Sequence, residues 1–145
     1  MTIDLTISPI LATDRKFLTA LALNNLPTAD LATSRGHYFS AVINGQLVGY
    51  GGYESLGRAV LLRSVVVVAV RKVGVGRAIA EAVLEHARGE GGEVAFLLTE
   101  NAAGFFAALG FDQITREQTP AVIKSHPQYD RLCAETAVIM QKRFV

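Results

Sequence analysis

Cysteine is nearly absent from this sequence, and charged residues are few. Cys133 is the only cysteine among 145 residues, so no disulfide can form within the chain and a cluster of thiolate metal ligands is excluded. Charged residues make up 19% of the chain and the formal net charge is +1, which gives no general affinity for nucleic acid. We therefore expect no metal and no nucleic-acid partner.

Long hydrophobic runs are also missing, although half of the residues are hydrophobic. The most apolar run, Val65 to Val70, is far too short to span a bilayer. The first residues lack the basic start and apolar stretch of a signal peptide. We expect a cytoplasmic protein with no membrane partner, folded as one domain over residues 1–145.

Hydrophobic periodicity and turn residues predict a mixed α/β fold with the order β-α-α-β-β-β-α-β-α-β-(α)-β. Asn44-Gly45 is a strong hairpin signal within a three-stranded meander. Val65 to Val68 is apolar on both faces, which indicates a central, covered strand. A helix returns after it, so one parallel pair should join an antiparallel sheet. The predicted strands are 2–8, 37–43, 46–54, 58–68, 94–98, 111–115 and 136–142. The first predicted helix is capped by Thr13 or Asp14 and carries Phe17, Leu18, Leu21 and Ala22, and the later helical segments are 26–34, 75–88, 100–109 and part of 120–132.

The loop before helix 75–88 is the most informative stretch, with the pattern Arg71-x-x-Gly74-x-Gly76. First-turn amides of a helix lack internal partners and carry the positive end of its dipole. Glycines let this backbone approach a phosphate closely, and Arg71, Lys72 and Arg77 add positive charge. Glycines before a helix are equally often plain turn residues, so that interpretation stays open. A dinucleotide loop would need a third glycine at position 79, which is Ile.

This loop and the segment Ala102-Ala103-Gly104-Phe105-Phe106-Ala107-Ala108-Leu109-Gly110-Phe111 resemble the two signature motifs of the GNAT acetyltransferases. The resemblance covers nearly the whole chain. It implies the GNAT fold, a mixed and mostly antiparallel sheet of six to seven strands flanked by helices, with acetyl-CoA as the cofactor. It implies cofactor contacts at Val66, Val67, Val68, Arg71, Lys72, Val73, Gly74, Val75, Gly76, Arg77, Thr99 and Phe106.

Four shorter segments are similar to the small GNAT proteins of bacterial arsenic-resistance operons. That similarity implies an amino-acid-like toxin as one candidate acceptor. The segments are Leu26-Pro27-x-x-Asp30-Leu31, Leu61-Leu62-Arg63-Ser64-Val65, Leu97-Leu98-Thr99-Glu100 and Leu132-Cys133.

The sequence departs from the family pattern in three places. The loop entry, Val68 to Arg71, is one residue shorter and lacks the usual Pro. Thr99 replaces an Asn, and Phe106 replaces the Tyr that serves many members as general acid. Phe106 cannot donate a proton, but a thiol with a pKa of about 8.5 can leave as a thiolate. The other candidates for a proton donor are Tyr53, Tyr129 and Cys133.

Acetyl transfer to an amine requires a proton acceptor and support for the oxyanion. A backbone N–H at Val66 or Val67 is expected to meet the oxyanion. Glu54 is the first candidate for the base, with a surface ion pair to Arg58 as its alternative. Glu100 is the second candidate, and its alternative is a helix-start acid favoured by the dipole.

Arg63 stands among apolar strand neighbours, so its charge needs a partner. That partner is either an anionic group of the acceptor or an internal carboxylate. Arg63 and Tyr129 are the predicted acceptor contacts. His37 and His126 titrate near neutrality, but isolated histidines are more often structural.

The sequence thus predicts an acetyl-CoA-dependent N-acetyltransferase for a primary amine on a small molecule. The segment 119–132 is expected to cover the acceptor side. Two alternatives stay open: an acetyl-CoA sensor that has lost catalysis, which Phe106 favours, and a peptide or protein N-acetyltransferase, which needs an open groove. A homodimer is a further expectation.

Overall fold

The computed structural model describes residues 4–68, 74–129 and 136–144. Over these residues the chain forms seven strands, four α-helices and a short 3-10 helix, Leu31–Thr33. The strands are β1 (Leu5–Ile10), β2 (His37–Ile43), β3 (Gln46–Leu56), β4 (Ala59–Val67), β5 (Val94–Thr99), β6 (Asp112–Ile114) and β7 (Val138–Arg143). The helices are α1 (Arg15–Leu23), α2 (Val75–Gly89), α3 (Ala103–Ala108) and α4 (Ala121–Lys124). None of the helices in the described ranges has the length and apolarity needed to cross a membrane.

The described strands form one sheet in the order β1-β2-β3-β4-β5-β7-β6. The β4–β5 pair is parallel, and the other neighbouring pairs are antiparallel. The long connection through α2 makes this parallel pairing possible, because parallel neighbours need a crossover. The predicted mixed, mostly antiparallel sheet of six to seven strands is confirmed.

The predicted hairpin turn at Asn44-Gly45 is confirmed. Both residues have positive φ angles, 50° and 76°, as a two-residue turn between twisted antiparallel strands requires. Ile43 and Gln46 face each other directly across it. This turn sets the start of the β2–β3 register.

Three predicted boundaries differ from the structure. The helix expected at 26–34 is only the 3-10 turn Leu31–Thr33, because Pro27 disfavours helical backbone before it and lacks a donor. Strand β1 continues through Pro9, which an edge strand tolerates. The helix expected from residue 100 begins at Ala103, so Glu100 is not in its first turn.

The sheet is covered on both faces, as the apolar central strand predicted. Helix α2 packs so closely on β3 that a Cβ at Gly51 would meet Val83 Cγ2 at 2.9 Å. Phe17 and Leu21 of α1 are fully buried on the other face. These two apolar layers hold β4 at the centre of the molecule.

Strand β4 carries a bulge that separates it from β5. Tyr50 faces Val66 and Gly52 faces Arg63, so two residues of β4 lie opposite the single Gly51. One of these two residues, Ser64, has a φ of 62°. The pairing of β4 with β5 ends at Leu61 and Phe96. A bulge bends its strand and increases its twist, and here a cleft opens between the separated strand ends.

Candidate active site

The cleft between the ends of β4 and β5 has a volume of about 640 Å³. One side is formed by the turn after α1, with Asn24 and Pro27, and by Gln128. The other side is formed by Gly76 at the start of α2 and by Phe105 and Phe106 of α3. The cleft is the size of a small-molecule site.

The start of α2 has the backbone expected of an anion-binding helix end. Gly74 is the N-cap with a φ of 91°, and no side chain caps the helix. A Cβ at Gly76 would lie 3.4 Å from the Phe105 ring and 3.6 Å from Val67 Cγ2. The N-terminal amides of α2 thus have no side-chain cap, which fits a phosphate-bearing group close to them.

The other residues predicted for this loop differ in what they contact. Val75 is 3% exposed and packs in the core, so only its backbone is available to a ligand. Arg77 is at the surface, and its Nε donates to Glu81 Oε1 at 2.6 Å. Arg71, Lys72 and Val73 lie outside the described residues, as does Cys133.

The end of β4 brings the three predicted valines to the cleft region. Val66 and Val67 line the cleft, and Val68 follows them with its N–H donating to the Val48 carbonyl at 2.9 Å. Successive N–H groups of an antiparallel strand point to alternate sides. The N–H of Val67 is therefore directed away from β3.

Thr99 and Phe106 both line the cleft beside α3. Thr99 Oγ1 accepts a hydrogen bond from the N–H of Ala102 at 3.0 Å, which starts the α3 turn. The Phe106 ring packs edge-on against Phe105 and Phe111, with centroids 4.9 and 5.9 Å apart. The position of the usual family tyrosine thus holds a packed, apolar ring.

Arg63 forms an ion pair with two carboxylates beneath the cleft. Its Nη1 lies 2.5 Å from Asp30 Oδ2 and 2.9 Å from Glu54 Oε2, and its Nη2 donates to Asp30 Oδ1 at 2.8 Å. Arg63 is 4% exposed and Glu54 is 8% exposed. Of the two partners predicted for Arg63, the structure contains the internal carboxylates.

His126 completes this cluster. The backbone N–H of Gln128 donates to His126 Nδ1 at 3.0 Å, so that nitrogen carries no proton. The proton is therefore on Nε2, which donates to Glu54 Oε2 at 2.7 Å. We call Asp30, Glu54, Arg63 and His126 the ionic cluster.

Burial and hydrogen bonding act in opposite directions on the pKa values of Asp30, Glu54 and Arg63 in the ionic cluster. Burial opposes the charge on Glu54, but hydrogen bonds from His126 and Arg63 outweigh it and lower its pKa. The pKa of Asp30 is lowered in the same way, since the hydrogen bond and charge of Arg63 outweigh burial. Burial opposes the charge on Arg63, yet its bonds to Asp30 and Glu54 raise its pKa. All three groups are thus held ionised.

Ligand atoms of Asp30, Glu54 and His126 lie within 4.8 Å of one another, as a metal site would require. However, Arg63 donates to both carboxylates. A metal ion would meet the positive guanidinium there. The absence of a metal stays a prediction.

The structure separates the candidates for the base. Glu54 does not pair with Arg58, whose Nε lies 3.1 Å from Glu93 at the surface; that alternative was wrong. Glu54 lies behind Arg63, whereas Glu100 is the one carboxylate among the described residues that line the cleft. The roles of both residues stay predictions.

The remaining aromatic and histidine candidates lie away from the cleft. Tyr129 packs in the cluster around Ile123, and Arg116 lies 5.1 Å above its ring. Tyr53 is fully buried, its hydroxyl 2.9 Å from His86 Nδ1 and its ring stacked on His37. None of these residues is among the described residues of the cleft wall.

Sequence reasoning named His126 as a candidate but did not place it beside Glu54, and it missed the places of Asp30 and Gln128 in the site. The apolar neighbours of Arg63 in its strand indicated that its charge needed a partner. Asp30 belongs to the segment Leu26-Pro27-x-x-Asp30-Leu31, which resembles the arsenic-operon proteins. Nothing local marked Gln128, because its place in the wall depends on how the segment after α4 folds back over the sheet.

The seven-stranded, mostly antiparallel sheet with one parallel pair is the fold of a family of acyltransferases that use a CoA thioester. Residues 11–111 match the profile of the Acetyltransferase (GNAT) family, and the chain belongs to this family. Its members use acetyl-CoA, so the predicted class and cofactor are confirmed. No curated protein matches the sequence significantly.

Solved structures share this fold at low sequence identity. The protein Rv2747 from Mycobacterium tuberculosis, in complex with CoA and NLQ, is 19% identical with a TM-score of 0.75, over 97% of this chain and 99% of that one. N-acetylglutamate synthase from Neisseria gonorrhoeae, complexed with CoA and N-acetyl-glutamate, is 16% identical with a TM-score of 0.76. That match covers 99% of this chain and 36% of the synthase. A GNAT acetyltransferase from Staphylococcus aureus gives 15% identity and a TM-score of 0.67, over 96% and 98% of the two chains.

Proposed function

We propose that this protein transfers the acetyl group of acetyl-CoA to the primary amine of a small molecule. The observation that carries this proposal is the cleft, which has the start of α2, without a side-chain cap, on one side. Its other side is formed by the turn after α1 and by Gln128. Such a site suits a small acceptor better than a long peptide.

The cofactor end of the cleft is proposed to be the start of α2. Acetyl-CoA supplies an acetyl group activated as a thioester. The amides after Gly74, with Arg71 and Lys72, would hold its pyrophosphate, and Gly76 would leave room for it beside Phe105. Thr99, Phe106 and the ends of Val66 to Val68 would line its thioester arm.

The Val67 amide is the proposed oxyanion donor. The amine nitrogen attacks the carbonyl carbon, the C–N bond forms, the C–S bond breaks, and CoA leaves as a thiolate. An N–H directed into the cleft would stabilise the negative charge that develops on the carbonyl oxygen. The alternation along β4 favours Val67 over Val66 for this role.

Glu100 is the proposed acceptor of the amine proton. It lines the cleft at the end of β5, whereas Glu54 is not among the described residues of the cleft wall. Glu54 accepts hydrogen bonds from Arg63 and His126. A carboxylate held ionised by two donors is a weak base. Glu54 would then hold Arg63 and His126 in place beside the acceptor side of the cleft.

A panel of amines tests this function, with CoA thiol release as the readout. Small primary amines, free amino acids and short peptides are compared at saturating acetyl-CoA. Turnover of small amines with little turnover of peptides supports the proposal. Preference for peptides would favour the peptide transferase, and binding without release would favour the acetyl-CoA sensor that Phe106 suggests.

The subgroup resemblance adds an amino-acid-like toxin to this panel, on the strength of short segments alone. The cytoplasmic location and the homodimer likewise stay proposals that rest on the sequence. Size-exclusion chromatography with light scattering reads the oligomeric state directly.

A further inference from the structure

A second cavity runs along α1 beside the cleft, with a volume of about 600 Å³. Arg15, Thr19 and Leu23 line it at a spacing of four residues, which places them on one face of the helix. The rest of the wall comes from β3 and the end of β4, with Leu47, Tyr50, Val67 and Val68. We call this cavity the α1 groove.

The α1 groove adjoins the cleft at one end of α1. Asn24 and Val67 line both cavities, and Asn24 is the C-cap of the helix. Lys16 lines the groove in the first turn, eight residues before Asn24, which corresponds to about 12 Å along a helix. A molecule that reacts in the cleft can therefore extend along α1 toward the first turn.

The α1 groove lies on the face of the sheet opposite α2. Tyr50 in the groove packs against Phe17 of α1, with ring centroids 5.4 Å apart. The next residue, Gly51, faces α2, since a Cβ there would meet Val83 Cγ2 at 2.9 Å. Neighbouring strand residues point to opposite faces, so the sheet separates the groove from α2. The groove is thus on the same side as Asn24 and the turn after α1, which form the proposed acceptor side.

The wall of the α1 groove exposes apolar side chains. Leu23 is 79% exposed and Val68 is 42% exposed, and both line the groove. Single apolar side chains at the surface are ordinary, but apolar side chains that share one concave wall favour an apolar ligand. An apolar chain lying in the groove would cover both side chains.

The first-turn end of the α1 groove is positively charged. Arg15 and Lys16 are exposed and form no ion pair with the residues that the structure describes. No Asp or Glu is among the described residues of the groove wall. The carboxylate of Asp14, the residue before Arg15, accepts from the Phe17 N–H at 3.0 Å. Even with Asp14 counted, two cations and one anion leave a positive charge, which attracts an anion.

Resting on the proposed N-acetyltransferase function, we infer that the α1 groove binds the tail of the acceptor. The amine of the acceptor reaches the thioester in the cleft, and its apolar chain covers Leu23 and Val68. An anionic group at the end of the chain pairs with Arg15 and Lys16. The chemical class is a primary amine joined to an anionic group, such as a carboxylate, by an apolar chain of about 12 Å.

Three amines at saturating acetyl-CoA test this class. ω-Aminododecanoate has the chain and the anion, ω-aminobutyrate lacks the long chain, and dodecylamine lacks the anion. We expect kcat/KM for ω-aminododecanoate to exceed that for ω-aminobutyrate at least about tenfold, because a few covered methylene groups have this effect. It should exceed that for dodecylamine about threefold, the scale of an exposed ion pair, and this second difference should disappear in about 1 M salt. Equal values for the two carboxylates, or no preference over dodecylamine at low salt, would overturn the inference.

A double variant, Arg15→Gln with Lys16→Gln, removes both charges of the α1 groove and keeps the apolar stems. We expect KM for ω-aminododecanoate to rise about threefold, while KM for dodecylamine and KM for acetyl-CoA stay unchanged. Lys124→Gln with Arg143→Gln is the matched control, since both residues are exposed and line neither cavity. An unchanged KM for ω-aminododecanoate contradicts the inference, and so does a higher KM for acetyl-CoA, which would assign the groove to the cofactor.

Calorimetry with dodecanoate separates this inference from the proposed function, because dodecanoate has no amine to acetylate. We expect dodecanoate to bind the wild-type protein and to bind the double variant about threefold more weakly. If small amines are acetylated but dodecanoate does not bind, or binds both proteins equally, the inference alone is wrong. If dodecanoate binding depends on Arg15 and Lys16 but no amine is acetylated, the proposed function alone is wrong.

Discussion

Phe106 shows how one missing hydroxyl bears on the chemistry. Its ring packs edge-on between Phe105 and Phe111 on the cleft wall, where many family members have a tyrosine acid. Phe106→Tyr adds a hydroxyl at this wall. We expect kcat to rise or stay unchanged, because a thiolate of pKa about 8.5 leaves without full protonation.

Steady-state kinetics on folded Phe106→Tyr checks this expectation. A thousandfold loss of kcat with an unchanged Tm would contradict it. That result would mean that the ring itself shapes the acceptor pocket.

Glu100 and Glu54 are distinguished by their positions, because Glu100 lines the cleft and Glu54 belongs to the ionic cluster. We expect Glu100→Gln to lower kcat/KM by about 10²-fold, the scale of a positioned base, with unchanged affinity for acetyl-CoA. The loss should shrink as the pH rises, because more of the amine is then neutral. Rate measurements over pH and a titration with acetyl-CoA check both points.

Glu54→Gln is the comparison. It should lower Tm by loosening the ionic cluster and raise KM for the amine. A pH-dependent loss of kcat at normal Tm in Glu54→Gln, with Glu100→Gln nearly active, would restore Glu54 as the base.

At the scale of the element, the bulge of β4 opens the cleft. Ser64 adopts a φ of 62° there, a conformation that a β-branched residue rarely adopts. We expect Ser64→Val to lower the free energy of unfolding by about 1–3 kcal/mol and to weaken acetyl-CoA binding, whereas Ser64→Gly stays within about 1 kcal/mol of wild type. Urea unfolding of both variants checks this, and equal stability would contradict it.

The start of α2 is the second element with a direct test. A Cβ at Gly76 would lie 3.4 Å from Phe105 and 3.6 Å from Val67 Cγ2, so Gly76→Val crowds both side chains at the cleft wall, next to the proposed pyrophosphate site. We expect Kd for acetyl-CoA to rise at least about tenfold, as calorimetry measures. Gly89→Val, at the other end of the helix where a Cβ meets nothing within 4 Å, is the matched control. Unchanged affinity in folded Gly76→Val would remove the loop from the cofactor site.

Sequence patterns predicted the helices and strands well, because the formation of these elements depends mainly on residues close together in the sequence. Asn44-Gly45 specified its own turn, and the apolar stretch of β4 specified a covered strand. The start of α3, expected at residue 100, was predicted less well, since Thr99 accepts from the Ala102 N–H and the helix begins at Ala103. A short side-chain bond of this kind competes with helical backbone and leaves little trace in periodicity.

At the scale of the whole molecule, the ionic cluster joins three distant segments. Asp30 comes from the turn before β2, Glu54 and Arg63 from the central strands, and His126 from the segment after α4. The sequence indicated only that Arg63 needed a partner, because segments so far apart meet through tertiary packing. The place of Gln128 in the cleft wall could not be predicted from the sequence for the same reason.

The cluster makes stability depend on pH. The pKa values of Glu54 and Asp30 are lowered from 4.5 and 3.8. Their stabilising contribution is therefore complete above those values and is lost as the pH falls through the folded-state pKa values. We expect the free energy of unfolding to fall between about pH 5 and pH 2, and the decline to flatten in a variant with both Asp30→Asn and Glu54→Gln.

Arg63→Met extends this test at neutral pH. It should destabilise the protein by about 3–5 kcal/mol, because the buried Glu54 and the half-buried Asp30 lose their cation. Arg58→Ala, which removes an exposed pair, should cost less than about 1 kcal/mol. Denaturant unfolding compares the two, and similar costs would contradict a stabilising role of the cluster.

Acetyl transfer itself is tested most directly by counting both products of one reaction. Wild-type protein, acetyl-CoA and a small primary amine are incubated together, with free thiol and N-acetylated amine quantified by absorbance and mass spectrometry. The account predicts equal molar amounts of the two products, with both reduced to the same extent in Gly76→Val when acetyl-CoA is below its Kd. Thiol release without acetylated amine, or acetyl-CoA binding with neither product across the panel, would contradict it.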